Sequence, residues 1–182
     1  MINQPSFIMF IGPMWGSKTT KMLAHAERYE LADKKVLYVK PSRDERYGKK
    51  TINTHRGHKV KCENIIFAND IANLVDESNL PDVIAVDEAF MVPKIASILI
   101  EYFRKGVTIL VSSLDLSAQL TKFDEISIMC SWATKIEKCP AVCTECGNDA
   151  YYTHKIGNGN KIIEIGAEDK YEPRCWFHHP LM

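Results

Sequence analysis

The sequence lacks the features typical of membrane-bound, secreted and low-complexity proteins. No apolar stretch among its 182 residues is long enough to cross a bilayer. The N-terminus lacks a positively charged start followed by a secretory apolar segment, so we expect a cytosolic protein. Neither a low-complexity segment nor an internal repeat is visible, and the length suits one medium domain with a small appendage.

The chain also has no excess of either charge sign. Lys and Arg total 23 and Asp and Glu total 23, so the net charge is zero. Binding to duplex nucleic acid through bulk charge needs a basic face, and the balanced composition argues against it while allowing a local patch. In a cytosolic chain the 6 cysteines favour free thiols or metal ligands over disulfides.

Short apolar runs alternate with polar segments along most of the chain. The runs at residues 7–11, 36–39, 83–86 and 108–111 have the composition of buried parallel strands. Helical spacing predicts helices over residues 19–31 and 93–105, the second ended by Gly106. This alternation predicts an α/β fold, a parallel sheet flanked by helices.

Two segments interrupt the alternation. Residues 42–61 are rich in charge and turn formers, and we predict a flexible loop there. From Cys139 onward the sequence changes character, with β-like runs at residues 151–154 and 161–165 joined by a hairpin-type turn at 157–160. We therefore predict two domains, 1–138 and 139–182.

The most informative segment follows the first predicted strand and reads Gly12-Pro13-Met14-Trp15-Gly16-Ser17-Lys18-Thr19. A strand-to-helix turn of this kind directs backbone N–H groups at one point, so these eight residues form a candidate ATP-binding loop. Lys18 can reach the terminal phosphates, and the Thr19 hydroxyl can hold Mg²⁺. The alternative is an ordinary turn with an incidental lysine. Trp15 would either stack on a base or cover the loop.

Ser17 stands where the usual phosphate-loop pattern has glycine. Serine costs more than glycine if the backbone there is left-handed.

An acidic pair, Asp87 and Glu88, ends the third predicted strand. Ligands of parallel sheets sit beyond the carboxyl ends of the strands, where the phosphate loop also opens. Asp87 is then a candidate Mg²⁺ ligand, direct or through water, and Glu88 a candidate acceptor of a substrate hydroxyl proton. The alternative is that the two acids merely begin a helix. Asp115, at another strand end, either faces this site or caps a turn.

Four residues near the C-terminus have the spacing of a tetrahedral zinc site: Cys143, Cys146, Cys175 and His178. All four positions are filled by protein, so we expect a structural zinc that replaces the core a small lobe cannot build. His179 is an alternative fourth ligand, and Cys139 a competing one. Buried free cysteines are the alternative to a metal site.

Together these segments resemble the type II thymidine kinases over nearly the whole chain. The resemblance rests on Gly12-Pro13-Met14-x-x-x-Lys18-Thr19, Asp44-x-Arg46-Tyr47, Val86-Asp87-Glu88-Ala89, Leu114-Asp115 with Phe123, Val142-Cys143-x-x-Cys146 and Arg174-Cys175-x-x-His178. It implies a P-loop, recombinase-like α/β domain followed by a zinc-binding β domain that carries a lasso loop. The implied reaction moves the γ-phosphate of ATP, with Mg²⁺, to the 5′-hydroxyl of thymidine or deoxyuridine.

The resemblance also assigns roles to residues. Glu88 falls on the general base, and Arg46 on a mobile-loop arginine near the reacting phosphate. Met14 falls beside the thymine ring, Phe123 on the substrate-side loop, and Thr153 and Tyr171 on lasso positions that contact the nucleoside. The family implies structural zinc, a homotetramer and feedback inhibition by thymidine triphosphate in the nucleoside pocket.

Several positions depart from the family pattern, namely Ser17, Phe90, Met91, Ser117, Ala118 and Lys122. They cluster on the nucleotide and nucleoside pockets. Two competing hypotheses therefore stand beside the kinase. One is a P-loop ATPase acting on nucleic acid, because recombinase-like motors share this core. The other is a catalytically degenerate relative retained for binding or assembly.

Overall fold

A parallel sheet of six strands forms the centre of the computed structural model, which describes residues 4–44, 50–54, 57–157 and 170–182. In chain order the strands are β1 (Phe7–Ile11), β2 (Val36–Pro41), β3 (Thr51–Asn53), β4 (Lys59–Lys61), β5 (Glu63–Ile65), β6 (Val83–Val86), β7 (Thr108–Ser113), β8 (Lys135–Lys138), β9 (Ala141–Val142), β10 (Asp149–Ala150), β11 (Tyr152–Lys155) and β12 (Tyr171–Arg174). The helices are α1 (Lys18–Glu30), α2 (Asp70–Leu74), α3 (Ile95–Arg104) and α4 (Asp124–Trp132). The sheet order is β5-β2-β6-β7-β1-β8.

Helices cover both faces of this sheet, which explains why its central strands are almost wholly apolar. In β1, Phe7, Met9 and Ile11 join the core cluster that contains residues of α3 and α4. Ile8 and Phe10, pointing the other way, join the cluster that contains residues of α1. Successive residues of a strand face opposite sides, so a doubly covered strand needs an apolar side chain at every position. The predicted α/β fold class is confirmed.

The predicted bounds agree with the structure to within a few residues. β1 and β6 match the predicted runs, while β2 and β7 each continue two residues further. Helices α1 and α3 differ by one or two residues from the predicted spans, which is the usual uncertainty of helix ends. Helix α4 and edge strand β8 were not predicted.

The prediction of a flexible loop over residues 42–61 is wrong for part of that segment. β3 and β4 pair antiparallel there, with Ile52 opposite Val60. Ile52 is buried in the α1-side core, and Val60 packs against the same core. The apolar pair anchors the hairpin, although turn formers and charges surround it in the sequence.

In the C-terminal lobe, residues 139–182, the part that the structure describes forms two small antiparallel ladders. β9 pairs with β10, and β11 pairs with β12. Thr153 on β11 lies opposite Pro173 on β12, a pairing that the sequence did not predict. The run at residues 161–165 and most of the predicted turn lie outside the described residues. Among the helices of the described ranges, none is long and apolar enough to cross a membrane.

Candidate active site

The phosphate loop runs from the end of β1 to the start of α1 through backbone conformations that side chains rarely adopt. Gly12 has φ 145°, a value that favours glycine. Trp15 and Ser17 have φ 60° and 56°, in the left-handed region. Left-handed conformations cost a non-glycine residue about 1–2 kcal/mol, so the loop is held by its surroundings. The Ser17 side chain is exposed and makes no capping hydrogen bond to offset that cost.

The two glycines of the loop lie directly against the backbone of Cys139. A Cβ atom added to Gly16 would stand 2.5 Å from the Cys139 carbonyl oxygen, and one added to Gly12 would stand closer still. The Cys139 N–H in turn donates to the carbonyl of Ile11 at 2.7 Å. Only glycine allows this approach, so Gly12 and Gly16 fix where the loop sits on the residue after β8.

Lys18 is the first residue of α1, and its side chain returns into the loop. Its ammonium donates to the Pro13 carbonyl at 2.5 Å, and the residue is only 7% exposed. Burial lowers the pKa of Lys18, and the nearby carboxylates of Glu88 and Asp87 oppose that shift. The structure thus places the lysine inside the loop and beside the acidic pair.

The start of α1 and the ends of β6 and β7 meet at Thr19, Asp87 and Ser112. The Thr19 hydroxyl donates to Asp87 Oδ1 at 2.9 Å and lies 3.4 Å from the Ser112 hydroxyl. Burial, followed by the neighbouring charge of Glu88, raises the pKa of Asp87 to about 7. A buried carboxylate beside a hydroxyl is a set of oxygen atoms that suits Mg²⁺, and a bound cation would favour the ionised form.

Glu88 follows Asp87 at the turn that leaves β6. It is half-buried and adopts φ 49° and ψ 42°, another left-handed conformation. The residues after it form a short 3₁₀ turn, Ala89–Met91. The strained turn places the two adjacent carboxylates at the same sheet edge as the phosphate loop, where Asp87 accepts the hydrogen bond from Thr19.

The predicted substrate residues lie on two sides of this edge. The Met14 N–H donates to the Thr153 hydroxyl at 3.1 Å, which joins the phosphate loop to β11. Tyr171, on the paired strand β12, lies on the same face of the ladder as Thr153. Pro173 is directly opposite Thr153, and Tyr171 is two residues from Pro173 on the same strand, so the three side chains share one face. Phe123 precedes α4, and its ring centroid lies 5.0 Å from that of Phe90, two residues after Glu88.

The four predicted metal ligands come together in the C-terminal lobe. Their donor atoms, the three thiol sulfurs and one ring nitrogen of His178, all lie within 4.8 Å of one another. The Cys146 and Cys175 sulfurs are 3.7 Å apart, and Cys143 Sγ is 3.9 Å from His178 Nδ1. Ligand atoms of a tetrahedral site with zinc–sulfur bonds of about 2.3 Å are separated by about 3.8 Å, so the geometry suits Zn²⁺.

The electrostatics of the cluster favour a thiolate. Burial opposes ionisation of Cys143, but backbone hydrogen bonds outweigh it and lower the pKa of its thiol to about 6. The alternative ligand, His179, is buried elsewhere, with Nε2 3.3 Å from the Thr153 carbonyl. Cys139 does not belong to the cluster among the described residues.

Some site residues were not predicted, and one predicted residue is not described. Ser112 was missed because the predicted strand stopped one residue before it; a serine continuing an apolar run was the available signal. Asp115, predicted either to face the site or to cap a turn, forms an ion pair with Lys138. Arg46 lies outside the described residues.

Ser117, one of the positions that depart from the family pattern, is buried. Its hydroxyl accepts hydrogen bonds from the N–H groups of Gln119 and Thr121 within a tight turn.

Comparison with known proteins supplies an independent finding. The model of a family described as "Thymidine kinase" matches residues 6–179. A protein of Myxoma virus (strain Lausanne) named "Thymidine kinase" is 32% identical, over 92% of this chain and 92% of its own length. A protein of Deinococcus deserti (strain DSM 17065 / CIP 109153 / LMG 22923 / VCD115) with the same name is 29% identical, over 94% and 92%.

Proposed function

Because this chain belongs to the thymidine kinase family, we propose that it transfers the γ-phosphate of ATP to the 5′-hydroxyl of thymidine, with deoxyuridine as a second acceptor. The observation that carries this proposal is the contact between Thr19 and Asp87. It joins the start of the phosphate loop's helix to the acidic end of β6, so that a triphosphate and an acceptor hydroxyl would meet at one sheet edge.

Phosphoryl transfer depends mainly on positioning and on stabilising charge, and the phosphate loop supplies both. The N–H groups of residues 12–19 and the N-terminus of α1 would bind the phosphates. Lys18, poised between the Pro13 carbonyl and the acidic pair, would turn to the terminal phosphates. Arg46 is proposed to stabilise the charge on the transferred group.

Thr19 and Asp87 fit the metal that such a reaction requires. Bound Mg²⁺ would neutralise charge on the phosphate oxygens. The Thr19 hydroxyl and the Asp87 carboxylate would hold it, directly or through water, with Ser112 supporting the carboxylate. Ionised Asp87 is required for this role, because a protonated carboxyl is a poor cation ligand.

Glu88 is proposed as the general base. It would accept the proton of the 5′-hydroxyl as the oxygen attacks phosphorus. Its left-handed backbone turns the chain immediately after Asp87, so the two acids need not serve the same group. Strain of this kind is typical of residues whose direction is set by function.

The nucleoside is proposed to bind between the phosphate loop and the C-terminal lobe. Met14 would lie beside the thymine ring, Phe123 would close the substrate side, and Thr153 and Tyr171 would contact the nucleoside. We further propose the division into domains 1–138 and 139–182. A structural zinc would be held by Cys143, Cys146, Cys175 and His178, whose thiolates and imidazole match its preferred ligands.

Three further properties are proposed: a homotetramer, from the family alone; a cytosolic location, expected from the sequence; and feedback inhibition by thymidine triphosphate, from the family alone. Light scattering at working concentrations would test the first. Inhibition by thymidine triphosphate that is competitive with thymidine would support the third, because the inhibitor would occupy the nucleoside pocket.

A radiometric assay with γ-labelled ATP tests the proposal. Thymidine, deoxyuridine, deoxycytidine and single-stranded DNA are supplied in turn. We expect labelled thymidine monophosphate and labelled deoxyuridine monophosphate, and loss of both in Lys18→Ala. ATP hydrolysis stimulated only by DNA would favour a nucleic-acid motor. A folded protein that binds no Mg-ATP by calorimetry would be the degenerate relative.

A further inference from the structure

We propose that the C-terminal lobe holds the phosphate loop in its ATP-binding shape, with Trp15 and Thr153 as the positioning residues. The inference rests on the proposed function only in taking ATP as the loop's ligand. It assigns Thr153 a role toward the triphosphate in addition to the nucleoside, and it gives Trp15 a role in place of the alternatives of base stacking or simple covering.

The first contact is a hydrogen bond from the loop's backbone to the side chain of Thr153 on β11. Thr153 is only 4% exposed, and its hydroxyl accepts the Met14 N–H at 3.1 Å. Its carbonyl lies 3.3 Å from Nε2 of buried His179, so β11 is itself fixed at this point. Met14 is therefore tied to a rigid strand 139 residues further along the chain.

The second contact is the Trp15 side chain. It packs against the small core of the C-terminal lobe, which is made of Ala141, Cys143, Ala150 and Cys175. Two of these residues are candidate metal ligands. A large aromatic side chain anchored there fixes the direction of the loop's backbone at residue 15.

The third contact is the close approach of Gly12 and Gly16 to the Cys139 carbonyl. Cys139 lies between β8 and β9, at the start of the C-terminal lobe, so the loop contacts the lobe at its first residue, at its core and at β11. These contacts lie at or directly beside the two left-handed non-glycine residues of the loop, Trp15 and Ser17. A loop that is strained at two positions keeps its shape only where its surroundings impose it.

A functional consequence follows for affinity. If the loop left this shape in part of the molecules, ATP would bind only the fraction that retained it, and the apparent dissociation constant would rise by the reciprocal of that fraction. The change would fall on ATP more than on thymidine, because residues 12–19 are all proposed to bind the phosphates, whereas only Met14 of this loop is among the proposed nucleoside contacts. A merely structural role would lower stability without separating the two substrates.

The test measures Mg-ATP binding by calorimetry with the zinc-loaded protein. We expect Trp15→Ala to raise the dissociation constant for Mg-ATP about tenfold and the KM for ATP in parallel, with the KM for thymidine unchanged within about twofold. Trp15→Phe keeps an aromatic face and is expected to restore affinity to within about threefold of wild type. Trp132→Ala, a half-exposed tryptophan at the end of α4, is the matched control and should bind normally.

A second pair of variants does not depend on Trp15→Ala folding. Thr153→Val removes the acceptor of the Met14 N–H at constant shape and is expected to weaken Mg-ATP binding by about threefold to tenfold, while Thr153→Ser restores it. Wild-type ATP affinity in both Trp15→Ala and Thr153→Val would overturn the inference. Normal ATP binding by wild type without thymidine phosphorylation would contradict the proposed function and leave the inference standing.

Discussion

Two neighbouring loop residues, Gly16 and Ser17, should respond to substitution in opposite directions. Ser17 has φ 56° and ψ 23°, is exposed, and forms no capping hydrogen bond, so Ser17→Gly removes strain and loses no such bond. The strain is about 1–2 kcal/mol. Glycine adds about 0.4–1 kcal/mol of entropy to the unfolded chain. We therefore expect a net gain of about 0.5 kcal/mol in the free energy of unfolding.

Gly16→Ala adds a single methyl group at the adjacent position. That methyl carbon would lie 2.5 Å from the Cys139 oxygen and 3.2 Å from the Pro13 oxygen, both of them backbone atoms. The loop must shift, and overpacking of this kind costs about 1–3 kcal/mol. We expect weaker Mg-ATP binding as well, because the displaced loop no longer directs its N–H groups at one point.

Urea denaturation of the two variants and of wild type, with zinc and a reducing agent present, measures their free energies of unfolding. Calorimetry on the same samples measures the affinity of the phosphate loop for Mg-ATP. We expect Ser17→Gly to keep wild-type affinity and Gly16→Ala to lose stability and affinity together. A Ser17→Gly protein less stable than wild type by about 1 kcal/mol, or a Gly16→Ala protein indistinguishable from wild type, would refute the reasoning.

Three further predictions concern Asp87 and the metal cluster. Because the pKa of Asp87 is raised to about 7 and a cation favours its ionised form, Mg-ATP binding should release close to one proton per mole bound at pH 6 and much less at pH 8. Calorimetry in two buffers of different ionisation enthalpy measures the number of protons released. An equal release at both pH values would contradict this prediction. A carboxyl whose pKa is raised on folding destabilises the folded state as pH rises from the unfolded pKa of 3.8 toward 7. Asp87→Asn without Mg²⁺ should therefore be more stable than wild type by on the order of 4 kcal/mol at pH 8 and by little at pH 4. A stability difference that does not change across that pH range would rule out burial of charge as its cause. Cys143→Ser should lower zinc content and the unfolding midpoint together, measured by metal analysis and thermal melting, whereas Cys62→Ser, at a thiol outside the cluster, should retain zinc.

How far the sequence predicts this fold depends on where each element lies. Strands β1 and β6 are covered on both faces and are apolar throughout, so composition alone marks their ends. Edge strand β8 reads Lys-Ile-Glu-Lys and is mostly exposed, so it carries no apolar run. Helix α4 buries only Ile126 and Met129, too few to set a clear helical period.

The residues of the candidate site also differ in how far the sequence predicts them, depending on whether their contacts are local or distant along the chain. The metal ligands come in two short-spaced pairs, and local spacing was enough to identify them before the structure brought them together. The contact of Met14 with Thr153 joins residues 139 positions apart. No local pattern encodes it, and only the resemblance to a family had marked Thr153. The catalytic and binding roles of the individual site residues stay predictions.

The role of Glu88 can be tested most directly by comparing Glu88→Gln with wild type under single-turnover conditions, with thymidine binding measured on the same samples. The substitution keeps the size of the side chain and removes its ability to accept a proton. We predict a rate of thymidine phosphorylation lower by about a hundredfold or more, with thymidine affinity largely unchanged. A near-normal rate in the variant would contradict the assignment of the base.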